Sequence, residues 1–177
     1  MKYRYIKNLR EKKTTKAADL SKIETDKPKF KTKALYREWC ADTKTDHVFF
    51  NMCEGDNPSV RISNENLVNA VHGIVADYDA PVDWGAVDRL IQAQCKEFTP
   101  TWRTRTQSGY IRLVWEFEGK MPISPDMYDA FIKRIANHLG VERIFAGFDS
   151  SSFKAGQYFE IGEDWTRTGE PLPKAVY

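Results

Sequence analysis

The stretch VHGIVADYDAP, residues 71–81, determines the fold that we predict from the sequence. Its first half is mostly small and apolar, which indicates a buried central strand, and Pro81 ends that strand. Because side chains alternate along a strand, Asp77 and Asp79 share one face, with Cα atoms about 7 Å apart. Two carboxylates at this spacing converge on one Mg²⁺ ion, or on a pair of ions about 3.5–4 Å apart. A divalent cation there relieves the repulsion between the two acids.

The composition indicates a soluble globular protein with one domain of ordinary size. Of the 177 residues, 41% are hydrophobic and 29% are charged, and no apolar run approaches a membrane span. Residues 1–5 lack the apolar core of a secretory signal. The cysteines Cys40, Cys53 and Cys95 are unclustered and odd in number, which argues against a disulfide framework or a cysteine-based zinc site. We therefore expect a cytoplasmic protein without a membrane partner.

Charge is distributed unevenly along the chain. Residues 1–33 contain 12 basic and four acidic residues, a net charge of +8. Residues 34–177 contain 15 basic and 21 acidic residues, a net charge of −6. This division predicts a basic N-terminal arm (residues 1–33) that engages phosphate groups, and an acidic catalytic body (residues 34–177) that holds metal ions.

Periodicity and capping residues predict the other elements, and Asp83 and Gly140 mark the start of one helix and the end of another. The predicted elements are an edge strand at 3–6, a helix at 33–42, a strand at 47–53, short helix at 63–68, the central strand, a helix at 83–98, strands at 101–106 and 110–118, a helix at 124–140 and a strand at 157–161. This order predicts an α+β domain whose helices pack on a mixed or mostly antiparallel sheet. A hairpin flanked by helices also indicates the split β-α-β plan of RNA-recognition-type (RRM-like) folds.

A phosphate-binding site is predicted around the hairpin. Arg103 and Arg105 share a face of their strand. Ser108 and Arg112 are an even number of positions apart across the turn at Gly109, so the alternating pattern places them on the same side. Guanidinium groups bind phosphate oxygens through two parallel hydrogen bonds. A serine next to a glycine offers hydroxyl and backbone donors to the same anion.

A third polar stretch, residues 147–154, follows the last long predicted helix. It contains a further acid, Asp149, a run of serine hydroxyls and the cation Lys154. Each of the three stretches alone is typical of ordinary turns and caps. Together they supply metal ligands, phosphate ligands and an additional carboxylate.

These motifs resemble the three-motif series of the archaeo-eukaryotic primase superfamily, and most closely the primase-polymerase domains of phage and plasmid replication proteins. The resemblance rests on Asp-Tyr-Asp at 77–79, on Ser-Gly at 108–109 and on Asp149. It covers roughly residues 47–163, with the core motifs within 71–161. It implies an RRM-like catalytic core that transfers nucleotides to a nucleic-acid 3′-hydroxyl with two Mg²⁺ or Mn²⁺ ions.

The resemblance also implies roles for individual residues and partners. Asp77, Asp79 and Asp149 are expected to hold the two ions, and Ser108 with Gly109 to bind the phosphates of the incoming nucleotide. The implied partners are nucleoside triphosphates, a single-stranded DNA template with its primer, and a replicative helicase in cis or in trans.

One position departs from the family pattern. The second family motif normally ends in histidine, and Arg112 stands in that place. Arginine binds phosphate but stays charged, so it does not readily donate a proton. We therefore expect Arg112 and Lys154 to clamp the triphosphate, and Arg103 and Arg105 to contact either nucleotide or template.

Two other functions use the same residues differently. A two-metal nuclease would use the same acids to degrade a supplied strand. A non-catalytic RRM-like nucleic-acid-binding module would keep the Asp pair for structure alone, and would need aromatic residues exposed on its sheet.

Overall fold

The computed structural model describes residues 2–7, 9–23, 33–41, 48–95 and 97–177. The strands in these residues are β1 (Lys2–Tyr3), β2 (Tyr5–Ile6), β3 (Ala18–Asp19), β4 (Phe49–Phe50), β5 (Cys53–Gly55), β6 (Val68–Pro81), β7 (Trp102–Arg105), β8 (Tyr110–Pro122), β9 (Phe159–Glu160) and β10 (Glu163–Arg167). The α-helices there are α1 (Lys33–Ala41), α2 (Trp84–Gln94), α3 (Tyr128–Leu139) and α4 (Val141–Ile144). Short 3₁₀ turns lie at Leu20–Lys22, Pro125–Met127, Ser150–Phe153 and Lys174–Val176. The chain is therefore a mixed α+β protein.

The central element is β6, a strand of 14 residues. It belongs to a five-stranded sheet with the order β10-β7-β8-β6-β5, in which every neighbouring pair is antiparallel. Its long partner is β8, which confirms the predicted hairpin strand after residue 110 and extends it to Pro122. The remaining strands form a three-stranded sheet, β2-β4-β9, and the pair β1-β3.

The end of β6 has a further neighbour, residues 147–149. Tyr78 lies opposite Phe148 in an antiparallel bridge. The Asp79 amide donates to the Gly147 carbonyl oxygen at 2.8 Å. The Asp149 amide donates to the Asp77 carbonyl oxygen at 2.9 Å. The strand order at this end of the sheet is therefore β7, β8, β6 and then residues 147–149.

Helices α2 and α3 cover one face of the five-stranded sheet. Asp83 caps α2, because its side chain accepts a hydrogen bond from the Ala86 amide at 3.2 Å, which confirms the predicted helix start. Gly140 ends α3 with a φ of +65°, which confirms the predicted helix end. The core under these helices includes Ile74, Ala76, Tyr78, Val87, Ile91, Ile111, Leu113, Trp115, Phe131, Ile132, Ile135 and Leu139.

The three-stranded sheet covers the opposite face and contains part of the predicted arm. The apolar cluster on this side consists of Leu20, Val48, Phe50, Met52, Val75, Val114, Phe159 and Ile161. Tyr5–Ile6 is an edge strand, as predicted, and both Ile6 and Leu20 have no exposed surface. The Tyr3 hydroxyl also donates to Glu116 at 2.8 Å. Residues 2–7 and 9–23 are thus packed against the body, while residues 24–32 lie outside the described residues.

The short helix predicted at residues 63–68 is wrong. Ser63 and Asn66 instead form an isolated antiparallel bridge. The Asn66 side-chain amide donates to the carbonyl oxygens of Asn57 at 3.0 Å and Val60 at 2.8 Å. These bonds hold the chain in a turn, since a short polar side chain competes with helical hydrogen bonding. Strand β6 begins directly after this turn.

Three boundaries also differ from the predictions. Helix α2 ends at Gln94, before the predicted residue 98. The helix predicted at 124–140 starts as a 3₁₀ turn, Pro125–Met127, and α3 begins only at Tyr128. The predicted strand at 47–53 is split into β4 and β5, and residue 47 lies outside the described residues. No helix among the described residues is long and apolar enough to cross a membrane.

Candidate functional site

Three carboxylates share one face at the end of β6. Tyr78 and Phe148 pack into the helix-covered core, so the residues next to them, Asp77, Asp79 and Asp149, point to the opposite face. Asp149 lies opposite Asp77, where Cβ atoms are typically about 4.5–5.5 Å apart, and diagonal to Asp79, at about 7–8 Å. The structure therefore places the three predicted acids on one face of two paired segments.

Gly147 allows the two segments to approach each other. Its φ is +78°, a conformation that glycine adopts without the steric cost of a side chain. A Cβ atom at this position would lie 3.2 Å from the Asp79 carbonyl oxygen and 3.3 Å from the Asp79 Cβ. Any larger residue would press on the backbone that carries Asp79.

Asp77 is held by Arg112, its partner across β6 and β8. Arg112 Nε donates to Asp77 Oδ1 at 2.5 Å and Nη2 donates to Oδ2 at 2.9 Å, which makes a bidentate ion pair. The remaining nitrogen, Nη1, donates to the Glu160 carbonyl oxygen. The aromatic rings of Phe50 and Phe159 lie 5.8 and 5.2 Å from the guanidinium carbon.

The charge of Arg112 is compensated where it is buried. Burial lowers the pKa of a guanidinium, but the negative charges of Asp77 and Glu160 outweigh it, so the pKa of Arg112 lies above its ordinary value. The side chain of Arg112 is 4% exposed, against 24% for Asp77. A triphosphate clamp needs an exposed guanidinium with free donors. The contacts of Arg112 therefore favour a role in holding Asp77 over the predicted clamp.

Within the part of the chain that the structure describes, Asp79 and Asp149 form no ion pair. Asp79 is exposed, and no described residue donates a hydrogen bond to its carboxylate. Asp149 is also exposed and accepts hydrogen bonds from the Ser151 amide at 2.9 Å and the Ser151 hydroxyl at 2.8 Å. A carboxylate offers about four lone-pair sites, so Asp149 retains acceptor capacity beyond its two bonds with Ser151.

The metal ions implied by the resemblance fit this site only in part. Among the described residues, no group of three or more His, Cys, Asp or Glu side chains is placed to hold a metal ion. Mg²⁺ is commonly bound by one or two carboxylates together with substrate phosphates, which matches what Asp79 and Asp149 offer. Asp77 does not fit a second ion, because the positive charge of Arg112 repels one.

The Ser108–Gly109 turn lies at the same end of the sheet. The Val82 amide, just beyond β6, donates to the Gly109 carbonyl oxygen at 3.3 Å. Ser108 is exposed, and no heavy atom lies within 4 Å of the position that a Gly109 Cβ would take. The Gly109 amide already donates to the Thr106 carbonyl oxygen at 2.9 Å. The turn thus offers open space, and a hydroxyl that bonds to no described residue, to a ligand.

Arg103 and Arg105 do not join the acidic face. Their partners in β8 point into the helix-covered core, which places both arginines on the side of the sheet opposite to Asp77. Arg103 Nε lies 3.0 Å from Asp88 Oδ1 in α2, and Arg105 Nη2 lies 2.7 Å from Asp164 Oδ2. Nucleotide or template binding by these two arginines stays a prediction.

Some residues of the site have no sequence signal that assigns their role. The Ser152 hydroxyl accepts a hydrogen bond from the Asp77 amide at 3.2 Å, and the residue is 7% exposed. The sequence marked the serine run but did not distinguish Ser152 from its neighbours. Lys154, which the sequence did select, is exposed in the same loop. The Glu160 carbonyl could not be predicted, since it reaches Arg112 only through the packing of one sheet on the other.

Comparison with known proteins yields a remote structural similarity. No family model matches the chain, and no curated protein matches it. Among solved structures, the chain is similar to the AEP domain of the cyanophage S-2L primase-polymerase (PrimPol). The two share 18% sequence identity, the match covers 97% of this chain and 83% of that one, and the TM-score is 0.46. At this level of similarity, the roles of individual residues follow only from their contacts in this chain.

Proposed function

We propose that this protein is a nucleotidyltransferase of the primase-polymerase class, which adds nucleotides to a nucleic-acid 3′-hydroxyl. The observation that carries the proposal is the shared face of Asp77, Asp79 and Asp149. Two separate motifs supply these acids, and the pairing of residues 147–149 with β6 is what joins them. A structural Asp-X-Asp pair would not need a third acid from a distant segment.

The order of the elements supports an RRM-like core. Along the chain β6, α2, β7, β8, α3 and residues 147–149 follow one another as β-α-β-β-α-β. In space, residues 147–149 and β7 lie on the outside, with β6 and β8 between them. Both helices cover the same face. These features support a split β-α-β arrangement, in which the face of the strands away from the helices carries Asp77, Asp79 and Asp149.

Each residue of the site has a distinct role in the proposal. Asp79 and Asp149 would hold a divalent ion, which would supply positive charge to stabilise the phosphoryl group under attack. The Ser108 hydroxyl donates to a phosphate oxygen beside the open turn. Lys154 places a positive charge near the same phosphates. Arg112 fixes the carboxylate of Asp77 in the sheet.

The proposed substrates are a nucleoside triphosphate and a primed single-stranded template. Exposed cations on the packed N-terminal segment, Lys12, Lys13 and Lys16, are the proposed contacts with the template backbone. Strand β2 attaches this segment to the body, so the three lysines would bind the template at a fixed position relative to the body. A detached arm would not fix that position.

Primer extension tests the proposal. Wild-type protein, with Mg²⁺ or Mn²⁺ and labelled primer, is expected to lengthen the primer and release pyrophosphate. Asp79→Ala and Asp149→Ala should each abolish extension, because each removes a proposed ion ligand. Asp126→Ala is the matched control, since Asp126 is an exposed acid in a separate 3₁₀ turn. Shortening of the primer in place of extension would indicate a nuclease.

A second candidate function is nucleic-acid binding without catalysis. It is favoured by the ion pair of Asp77 with Arg112, which removes one of the three acids from metal binding. Under this alternative, Asp79→Ala would leave the affinity for the template unchanged. Neither the wild-type protein nor the variant would incorporate nucleotide. Template binding with no extension in either metal ion would therefore support the second candidate.

A further inference from the structure

The carboxylate of Asp77 faces a guanidinium at the position where the motif resemblance places a divalent ion. Both of its oxygens accept hydrogen bonds from Arg112, at 2.5 and 2.9 Å. Asp79 and Asp149, by contrast, form no ion pair with any described residue. The three acids of the shared face are therefore not equivalent.

The carboxylates on the shared face repel each other, and a cation is needed to offset this repulsion. Asp77 and Asp149 lie opposite each other on paired segments, and like charges in that arrangement destabilise a sheet. In metal-dependent sites, the bound ion removes this repulsion. Here Arg112 does so from the buried side, and it cannot withdraw easily, because its third nitrogen is bonded to the Glu160 carbonyl oxygen.

The surroundings of Arg112 also distinguish this pair from a surface ion pair. The guanidinium is 4% exposed and lies near the rings of Phe50 and Phe159. The backbone amide of its partner Asp77 also donates a hydrogen bond to the Ser152 hydroxyl at 3.2 Å, which further fixes Asp77. The pair is thus a built part of the sheet, present before any ligand binds.

We infer that Arg112 takes the place of a divalent ion at Asp77, so that Asp77 is a structural carboxylate and not a metal ligand in this protein. The inference rests on the proposed function only for the choice of Mg²⁺ or Mn²⁺ as the ion concerned. It makes Arg112 a positioning residue that limits the site to the ion held by Asp79 and Asp149. Its removal should turn Asp77 into an additional ligand.

Counting bound Mn²⁺ tests this inference without any activity measurement. Free Mn²⁺ is measured by electron paramagnetic resonance during titration of wild type, Arg112→Met and Asp77→Leu/Arg112→Met. We expect Arg112→Met to bind one more Mn²⁺ per chain than wild type, and the gain to disappear in the double variant. The double variant removes both charges of the pair together, so neither Asp77 nor Arg112 is left buried without its partner and the protein should remain folded.

The outcomes separate this inference from the proposed function. Equal Mn²⁺ counts for wild type and Arg112→Met would overturn it, as would the absence of Mn²⁺ binding in every protein. If Arg112→Met does not fold, the double variant decides: Mn²⁺ affinity like that of wild type supports the inference, and a loss of roughly tenfold or more overturns it. A gain of Mn²⁺ by Arg112→Met in a protein that incorporates no nucleotide would support the inference and refute the proposed function.

Discussion

Neutralising one member of the buried Asp77–Arg112 pair is expected to destabilise the protein strongly. Removing one partner of a buried ion pair costs about 3–5 kcal/mol, because the other charge is left buried without compensation. Coulomb's law gives a similar figure, since two unit charges about 4 Å apart attract by about 4 kcal/mol at an effective dielectric constant of about 20. The stability of a domain is only about 5–15 kcal/mol, so the effect should be large.

The two single substitutions should not cost the same. Arg112 is 4% exposed and Asp77 is 24% exposed, so water compensates an unpaired Asp77 better than an unpaired Arg112. We expect Asp77→Leu to lower the free energy of unfolding by about 4–5 kcal/mol and Arg112→Met to lower it by about 3 kcal/mol. The sequence alone suggests the opposite sign for Asp77, because loss of one of two neighbouring acids relieves repulsion.

Urea unfolding followed by tryptophan fluorescence measures these changes in a double-mutant cycle. The coupling energy between the two positions should be about 2 kcal/mol or more, within the range seen for residues in direct contact. The cycle of Arg167→Met and Glu170→Leu is the matched control, because this pair is 52% and 84% exposed and should contribute less than about 1 kcal/mol. A coupling energy between Asp77 and Arg112 as small as that of the control would show that the pair contributes no more than a surface ion pair.

Three further predictions concern other parts of the molecule. Burial lowers the pKa of His72 despite the nearby Glu54. The unfolded chain therefore binds a proton at His72 at a higher pH than the folded protein does, and stability should fall as the pH drops below about 6.5. In thermal melts, His72→Gln should flatten this pH dependence. Gly147→Ala should cost about 1–2 kcal/mol in urea unfolding and weaken Mn²⁺ binding, because φ is +78° and the new Cβ meets Asp79. Replacing Lys12, Lys13 and Lys16 by glutamine should reduce the salt slope of single-strand binding by about 2, and an unchanged slope would exclude these contacts.

The acidic face could be predicted from the sequence because it depends on local rules. Alternation along a strand places Asp77 and Asp79 on one side, and an apolar run of that length favours a central strand. The capping residue Asp83 and the left-handed Gly140 marked helix boundaries through equally local chemistry. The nearness of Asp149 followed only from a motif resemblance, because no sequence rule fixes which segment pairs with the free end of β6.

The role of Arg112 could not be predicted, since it depends on register and burial. The alternation of residues along the predicted strand shows which neighbours share a face with Arg112. The pairing of β6 with β8, however, decides that Arg112 lies opposite Asp77. The cover provided by the three-stranded sheet decides that its guanidinium is buried. For the same reason Arg103, which has similar sequence surroundings, lies on the other face and pairs with Asp88 in α2. Composition cannot distinguish these two arginines.

The packed state of residues 2–7 and 9–23 is a second feature that charge counting could not predict. The segment has a high density of lysine, which is typical of a solvated tail. Yet Ile6 and Leu20 are fully buried, and Tyr5 pairs with Phe50 in the same sheet that covers Arg112. A few apolar residues fix the position of the segment, while its lysines remain at the surface.

The most direct test of the central claim is the position of the metal ion in the crystal. Crystals grown with Mn²⁺ and a non-hydrolysable nucleoside triphosphate would show the ion by its anomalous scattering. We expect a peak with ligand distances of about 2.1 Å to Asp79 and Asp149 and to phosphate oxygens, with Asp77 still paired to Arg112. A peak coordinated by Asp77 with Arg112 displaced, or no peak near the three acids, would contradict it.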